Sequence, residues 1–379
     1  MDAVKNAISN TIESVSHGVH KITHTPIGPP NYIRYDQEGV EQHDEQEDAK
    51  IRETVEIMNR LLEKNFNIHG HAFRGTHIKS QAIVKGTITI LDDLPTPFRQ
   101  GLFATSGTHP LIMRYANEPS DLIDDRITAP RGVGMKIFNV PGKKLISEDS
   151  QTQDFSFNNA PVIELTDINV NLEIQKLREK YSDQPEKLKA AVATRRDAAR
   201  QLAPFQLPNI HLLAHTFYSQ AAYRYGDFVC KFSIVPTLQK QKELQNKKVT
   251  NDHSPNVLRE WASEYFSVNS AEYDFRIQLC TDLYLMPVED ASVEWPESVS
   301  PYVTVARINI PPQETFSDER RVFWEEKIKI DPWAGLEEHC PLGSINRLRR
   351  QVYETSRQFR QKRNLQVISN LKDINDVPN

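Results

Sequence analysis

Six short runs rich in Val, Ile, Phe or Tyr, at residues 82–91, 111–116, 132–139, 227–235, 274–286 and 302–310, constrain this chain more than any other feature. In the first run Val84, Ile88 and Ile90 face one side of an alternating pattern, the two-residue period of a half-buried strand. Most of the runs are bounded by Pro, Gly, Asn or Asp, which end a strand and turn the chain. Between the third and fourth lies a charged, helix-forming insert at about 169–203, punctuated at Pro185, and a second helical stretch covers about 255–266. No repeat of fixed period is present. Strands grouped on both sides of a helical insert predict an α+β fold on an antiparallel sheet, with runs long enough to close into a barrel.

The beginning of the chain reads differently. Val4, Ile8, Ile12, Val15, Val19 and Ile22 recur at helical steps, whereas the opposite face carries Asn6, Asn10, Glu13 and Ser14. That face is not strongly basic, so packing on a partner subunit or on the chain's own domain is favoured over peripheral membrane contact. A Pro-containing link at 25–30 and an acidic stretch from Asp36 to Asp48 follow, then a helical pattern over 47–64 through Ile51, Val55, Met58, Leu61 and Leu62. The expected division is an N-terminal helical arm over 1–65 and a barrel unit over 66–379.

Composition narrows the function classes. A net charge of −5 over 379 residues argues against bulk nucleic-acid binding. The basic cluster Arg347, Arg349, Arg350, Arg357, Arg360, Lys362 and Arg363 therefore asks for a local anionic partner. Cys230, Cys280 and Cys340 are odd in number and widely spaced, which makes neither a disulfide framework nor a zinc pattern. With no secretory leader pattern, no membrane-spanning run and no peroxisomal ending, the cytosol is the expected compartment.

The last helical pattern, at about 344–363, carries Arg349, Tyr353 and Arg360. At about 100° per residue all three share one face. Ile345, Leu348, Val352 and Phe359 form an adjoining apolar stripe that should anchor it against a core. A phenol beside guanidinium groups has its ionised form stabilised, which suits a tyrosinate ligand to ferric haem. Alone, the run reads more readily as a basic, solvated helix around a buried Tyr.

Four upstream segments carry further candidates: Arg74-Gly75-Thr76-His77, Arg114 within an apolar strand, Pro130-Arg131-Gly132-Val133-Gly134-Met135-Lys136-Ile137-Phe138, and Asp154-Phe155-Ser156-Phe157-Asn158-Asn159-Ala160-Pro161. A buried strand Arg needs an anion, and strand glycines allow close backbone approach. An Asn pair before Ala-Pro is otherwise an ordinary turn.

Taken together, these segments resemble the haem catalase family from about residue 66 to 363. The family places an Arg three residues before its distal His, as in Arg74 and His77, and carries a Pro-Arg-Gly strand and an Asn-Asn-x-Pro-Val segment, matched at Pro130 and Asn158. Its proximal helix has Arg, then the ligand Tyr, then Arg, as in Arg349, Tyr353 and Arg360. Asp227–Phe232, preceded by His215-Thr216-Phe217, is also similar to the family. The resemblance implies a closed eight-stranded antiparallel barrel binding haem b. It implies Tyr353 as phenolate ligand beside Arg349, with Arg74, Arg114 and Arg360 pairing the propionates, since guanidinium suits carboxylate. It further implies His77 as general base on a bound peroxide and Asn158 as a hydrogen-bonding partner of the peroxide oxygens.

Departures from the family bear on the substrate. Thr76 stands where catalases have Val, and its hydroxyl could restrain the imidazole. Ala129 replaces a channel Asp, Val162-Ile163-Glu164 lacks the usual Phe pair, and the chain is short beyond the proximal helix. These features resemble the catalase-related allene oxide synthases and mini-catalases, which implies fatty-acid hydroperoxides as substrate by peroxidase or rearrangement chemistry. Dismutation of hydrogen peroxide is the alternative. A non-catalytic haem carrier would need neither His77 nor Asn158, and nucleic-acid binding by the last helix conflicts with the acidic balance. A homo-oligomer is compatible with the resemblance.

Overall fold

Alternation along the strands sorts the side chains between two faces of one antiparallel sheet. The computed structural model describes residues 31–118, 121–146, 151–369 and 371–379, so the amphipathic run at 3–22 lies outside the described residues. The strands are β1 (Ser80–Ile90), β2 (Gly107–Asn117), β3 (Arg131–Ile137), β4 (Gln153–Asn158), β5 (Phe217–Tyr218), β6 (Tyr223–Tyr225), β7 (Phe228–Pro236), β8 (Ala271–Leu279) and β9 (Val303–Ile310). Their order is β5-β4-β3-β2-β1-β9-β8-β7-β6, and β5 also pairs with β7. The second pairing closes an eight-stranded barrel and leaves β6 as an extra strand on β7. Closure runs through Asn158 opposite Tyr218, and through Phe217 and Tyr218 opposite Ile234 and Ser233.

Inward positions fill the barrel. Val84, Met113, Met135, Phe155, Phe232 and Phe275 belong to one buried cluster. The Phe155 ring lies 4.9 Å from Phe232 and 5.3 Å from Phe275. Burying each such ring stabilises the fold by about 1.5–3 kcal/mol, and the interior is packed side chain rather than lumen. The same alternation turns Ile112 and Arg114 of β2, Gly132 and Gly134 of β3, and Ser156 and Asn158 of β4 to the opposite face. Candidate chemistry thus sits on the outside of the barrel wall.

Helices cover that wall. They are α1 (Glu47–His69), α2 (Ile168–Lys180), α3 (Pro185–Ala193), α4 (Ala198–Leu202), α5 (Gln239–Glu243), α6 (Val257–Val268), α7 (Asp318–Lys327) and α8 (Ser344–Asn364). The expected apolar stripe of α8 packs as its periodicity requires: Leu348 is buried with Ile51 of α1 and Ile168 of α2, and Val352 packs against them. Phe359 meets Phe66 of α1 edge-on at 6.4 Å. α1 continues past residue 65 to a left-handed cap at Gly70, and Tyr32–Asn379 forms one compact unit. Trp324 and Ile328, at and just beyond α7, cover Ile83 and Ile112 on the outer sheet face. Among the described residues no helix is long and apolar enough to cross a membrane.

Two expectations about elements differ from the structure. The run at 274–286 stops being a strand at Leu279, because the Asp282 carboxylate accepts from the Tyr284 and Leu285 amides and turns the chain. β4 and α7 were not expected. β4 hides its polar positions: Asp154 is fully buried against Lys136 at 2.6 Å, so both faces are covered and the alternation carries no surface signal. α7 is too charged for a clear apolar stripe, with only Arg320 and Trp324 buried.

Candidate active site

The loop before β1 is bent to deliver His77. This residue takes a left-handed backbone, φ 54°, a conformation that non-glycine residues hold only under outside constraint. The constraint comes from β2 and the chain beyond it. The His77 amide donates to the Glu118 carbonyl at 2.7 Å, and Arg114 Nη2 donates to the His77 carbonyl at 2.6 Å. Gly75 N donates to Ser356 Oγ at 3.2 Å, tying the loop to α8. The imidazole then rests on the bare backbone of β3. A Cβ on Gly132 would lie 2.6 Å from His77 Nδ1, closer still to Cε1, and 3.0 Å from Asn158 Oδ1.

Asn158 sits directly across from Gly132 in the β3–β4 register. Its Nδ2 donates to Gln220 Oε1 at 3.0 Å, and Gln220 Nε2 donates in turn to the Val162 carbonyl. The amide is thereby oriented, with Oδ1 buried and unpartnered, as is His77 Nδ1. Burial, reinforced by the charges of Arg114 and Arg349, pushes the His77 imidazole down to about 3. The ring is therefore neutral at physiological pH, with a lone pair on one nitrogen. Thr76 lines the same cavity but is exposed and makes no bond to His77 Nδ1.

α8 supplies the other wall. Arg349 Nη2 donates to Tyr353 Oη at 3.0 Å and to Ser156 Oγ of β4 at 2.9 Å, while Nη1 donates to Asn346 Oδ1 at 3.0 Å. Burial disfavours the Arg349 charge, but the Tyr353 and Tyr223 hydroxyls outweigh it and hold its pKa above the ordinary value. The guanidinium thus fixes the phenol oxygen from one side.

The remaining arginines form a cradle at one end of the site. Arg74 and Arg114 both pair with the Glu325 carboxylate of α7, Arg114 at 3.4 Å. Ser80 Oγ donates to Glu325 Oε1 at 2.6 Å, and Arg360 Nη1 donates to the Glu325 carbonyl at 2.8 Å. Arg360 Nε is buried and unpartnered. Burial lowers Arg114 to about 10, against the pull of Glu325, and burial with the charge of Arg74 lowers Arg360 to about 9. These cations are under-neutralised.

All eight candidate residues line one cavity of about 680 Å³, within the range of small-molecule and cofactor sites. The rest of its lining mixes apolar side chains, Met58, Leu61 and Ile68 of α1, Leu188 of α3 and Phe205, with polar ones such as Lys64, Gln175, Arg178 and Asp183. A flat group carrying two carboxylates fits this donor set: a glycine-floored strand wall, a phenol held by a guanidinium, and an arginine cradle with spare N–H groups. Gln220, Ser156 and Glu325 complete the site and carry no sequence signal, since each is a lone polar residue in an ordinary setting.

The same architecture occurs in solved structures. The chain aligns with a fungal catalase at a TM-score of 0.58 and 16% identity, covering 91% of this chain and 68% of that one. Catalase A from Saccharomyces cerevisiae aligns at 0.58 and 15%, covering 91% and 70%, and a bacterial catalase at 0.53 and 12%, covering 89% and 67%. The fold is the catalase fold. No protein-family model and no curated protein matches the sequence. At such low identity the catalase likeness speaks for the architecture alone, and the roles of the side chains rest on their own geometry.

Proposed function

We propose that the chain is a haem-dependent, peroxide-metabolising enzyme with Tyr353 as iron ligand, acting on fatty-acid hydroperoxides. The observation that carries the reading is the pair of buried, unpartnered polar atoms, His77 Nδ1 and Asn158 Oδ1, in the same cavity as the Arg349–Tyr353 pair. A non-catalytic carrier has no use for either atom. Bound haem supplies a ferric iron that exchanges electrons with the peroxide bond. Arg349 orients the phenol oxygen, and Arg74, Arg114 and Arg360 offer N–H groups to the propionates. Neutral His77 takes the proton of the hydroperoxy group on a ring nitrogen and returns it to the oxygen that departs. Asn158, oriented by Gln220, has its second Nδ2–H to donate to a peroxide oxygen.

The substrate class is favoured by the apolar wing of the cavity. Met58, Leu61, Ile68, Leu188 and Phe205 offer an acyl chain a surface that hydrogen peroxide cannot use. Ala129 and Val162-Ile163-Glu164 point the same way, as in the short catalase-related enzymes that these departures resemble. Haem-loaded protein mixed with a conjugated-diene fatty-acid hydroperoxide should change the diene absorbance. An unchanged diene with vigorous oxygen release from hydrogen peroxide would mark a dismutating catalase instead. Replacing His77 with Ala should remove turnover by about 10²–10⁴-fold while leaving haem bound.

A further inference from the structure

The cradle contains a carboxylate of its own. Three guanidinium groups, Arg74, Arg114 and Arg360, gather about the single carboxylate of Glu325, an excess of two positive charges among these four groups. Glu326, also in the field of Arg360, is paired with His71 at 3.0 Å. Burial opposes ionisation of Glu325, but Arg74 and Arg114 outweigh it and hold the carboxyl down at about 2. Arg74, Arg114 and Arg360 line the cavity and Glu325 does not, so it meets the arginines from behind. The arginines are also tethered without its side chain: Arg74 to the Trp324 carbonyl at 2.9 Å, Arg114 to the His77 and Ile78 carbonyls and Ser80 Oγ, and Arg360 to the Glu325 carbonyl.

We propose that Glu325 is the internal counter-ion of the cradle: it neutralises part of the arginine charge in the free chain and opposes the grip of those arginines on an anionic ligand. It therefore sets how tightly a dicarboxylate porphyrin is held, an inference that rests on the haem reading above. Two consequences follow from the tethering. Removing the charge leaves the guanidinium groups in place, so the electrostatic effect dominates and an anion binds more tightly. The free chain, left with two buried cations and a partly buried third and without the Glu325 carboxylate, becomes less stable.

Titration of the ligand-free full chain with ferric haem, followed by absorbance, tests this against haem dimethyl ester, whose carboxylates carry no charge. Glu325→Gln should bind haem on the order of tenfold more tightly than wild type, the worth of one charged hydrogen bond. The two proteins should bind the dimethyl ester alike. If Glu325→Gln folds only when haem is present, and the dimethyl ester does not rescue it, the propionates are replacing the missing counter-ion and the proposal stands. Equal or weaker haem binding, an equal gain for the dimethyl ester, or a failure to fold with either porphyrin would overturn it. Wild-type protein that takes up neither porphyrin would instead overturn the haem reading itself.

Discussion

The His77 imidazole lies against the bare backbone of Gly132, so close that any side chain on the glycine would occupy the space of the ring. A strand residue without a Cβ thus makes room for an imidazole delivered by a separate loop. Gly132→Ala should displace the ring, lower turnover on the order of a hundredfold and cost about 1–3 kcal/mol of stability. Gly134→Ala, on the same wall, is the comparison, since the nearest atom to its Cβ would be Ile330 Cγ2 at 3.4 Å. Turnover and thermal melting of both variants check the prediction, and equal activity would sink it.

Tyr353→Phe removes the only atom that Arg349 orients toward the proposed iron. The fold should survive within about 1 kcal/mol, the usual net worth of one hydrogen bond, while the absorbance spectrum of bound ferric haem changes and peroxide consumption is lost. A spectrum identical to wild type would show that the phenol is not a ligand.

Leu61 of α1 is one of the apolar side chains that line the cavity. Leu61→Glu should raise KM for fatty-acid hydroperoxides by about tenfold, the scale of a lost apolar contact in a pocket, and leave hydrogen peroxide consumption unchanged. An effect on both substrates alike would argue against an acyl-binding wing.

Stability should fall with acid. Burial, more than any neighbouring charge, pushes His77, His215 and His339 down to about 3 and His211 to about 4. A histidine with a depressed folded pKa binds fewer protons folded than unfolded. Its contribution is complete above the unfolded value of about 6.5 and is lost as pH falls toward the folded value. Each contributes a slope of about 1.4 kcal/mol per pH unit across that window. Glu118, raised to about 8 by burial and then by Glu164, works oppositely, losing stability as pH rises toward that value. Denaturant midpoints between about pH 4 and 8 check the sum, and a flat profile on the acid side would contradict it.

Strands that bury one face were readable from sequence. Val84, Ile88 and Ile90 marked β1, and the apolar stripe around Leu348 marked the packed side of α8. β4 was not readable, because Asp154 and its partner Lys136 are buried as fully as Phe155 and Phe157. β5 is two residues long, below any period. The candidate site followed the same division. Arg74, His77, Asn158 and Tyr353 were found through the spacing of a resemblance, whereas Glu325 belongs to α7, a helix with no clear stripe. Gln220 reaches Asn158 from a left-handed backbone, with its amide held by the Val162 carbonyl, and a sequence displays neither. The restraint expected from Thr76 on the imidazole is absent at Nδ1, since the loop turns Thr76 outward.

The two-residue strand β5 has a consequence for the order of assembly. Asn158 is the β4 residue that pairs with it, so the amide facing the cavity is also the last rung of the barrel seam. Segments far apart in sequence must meet before that rung can form, and such non-local closure is a late, slow event in folding. A chain whose ring is still open therefore lacks a positioned Asn158, and under the proposed function activity becomes a report on completed folding. Hydrogen exchange at Tyr218 should accordingly track the recovery of activity during refolding more closely than exchange within the long β1–β2 ladder.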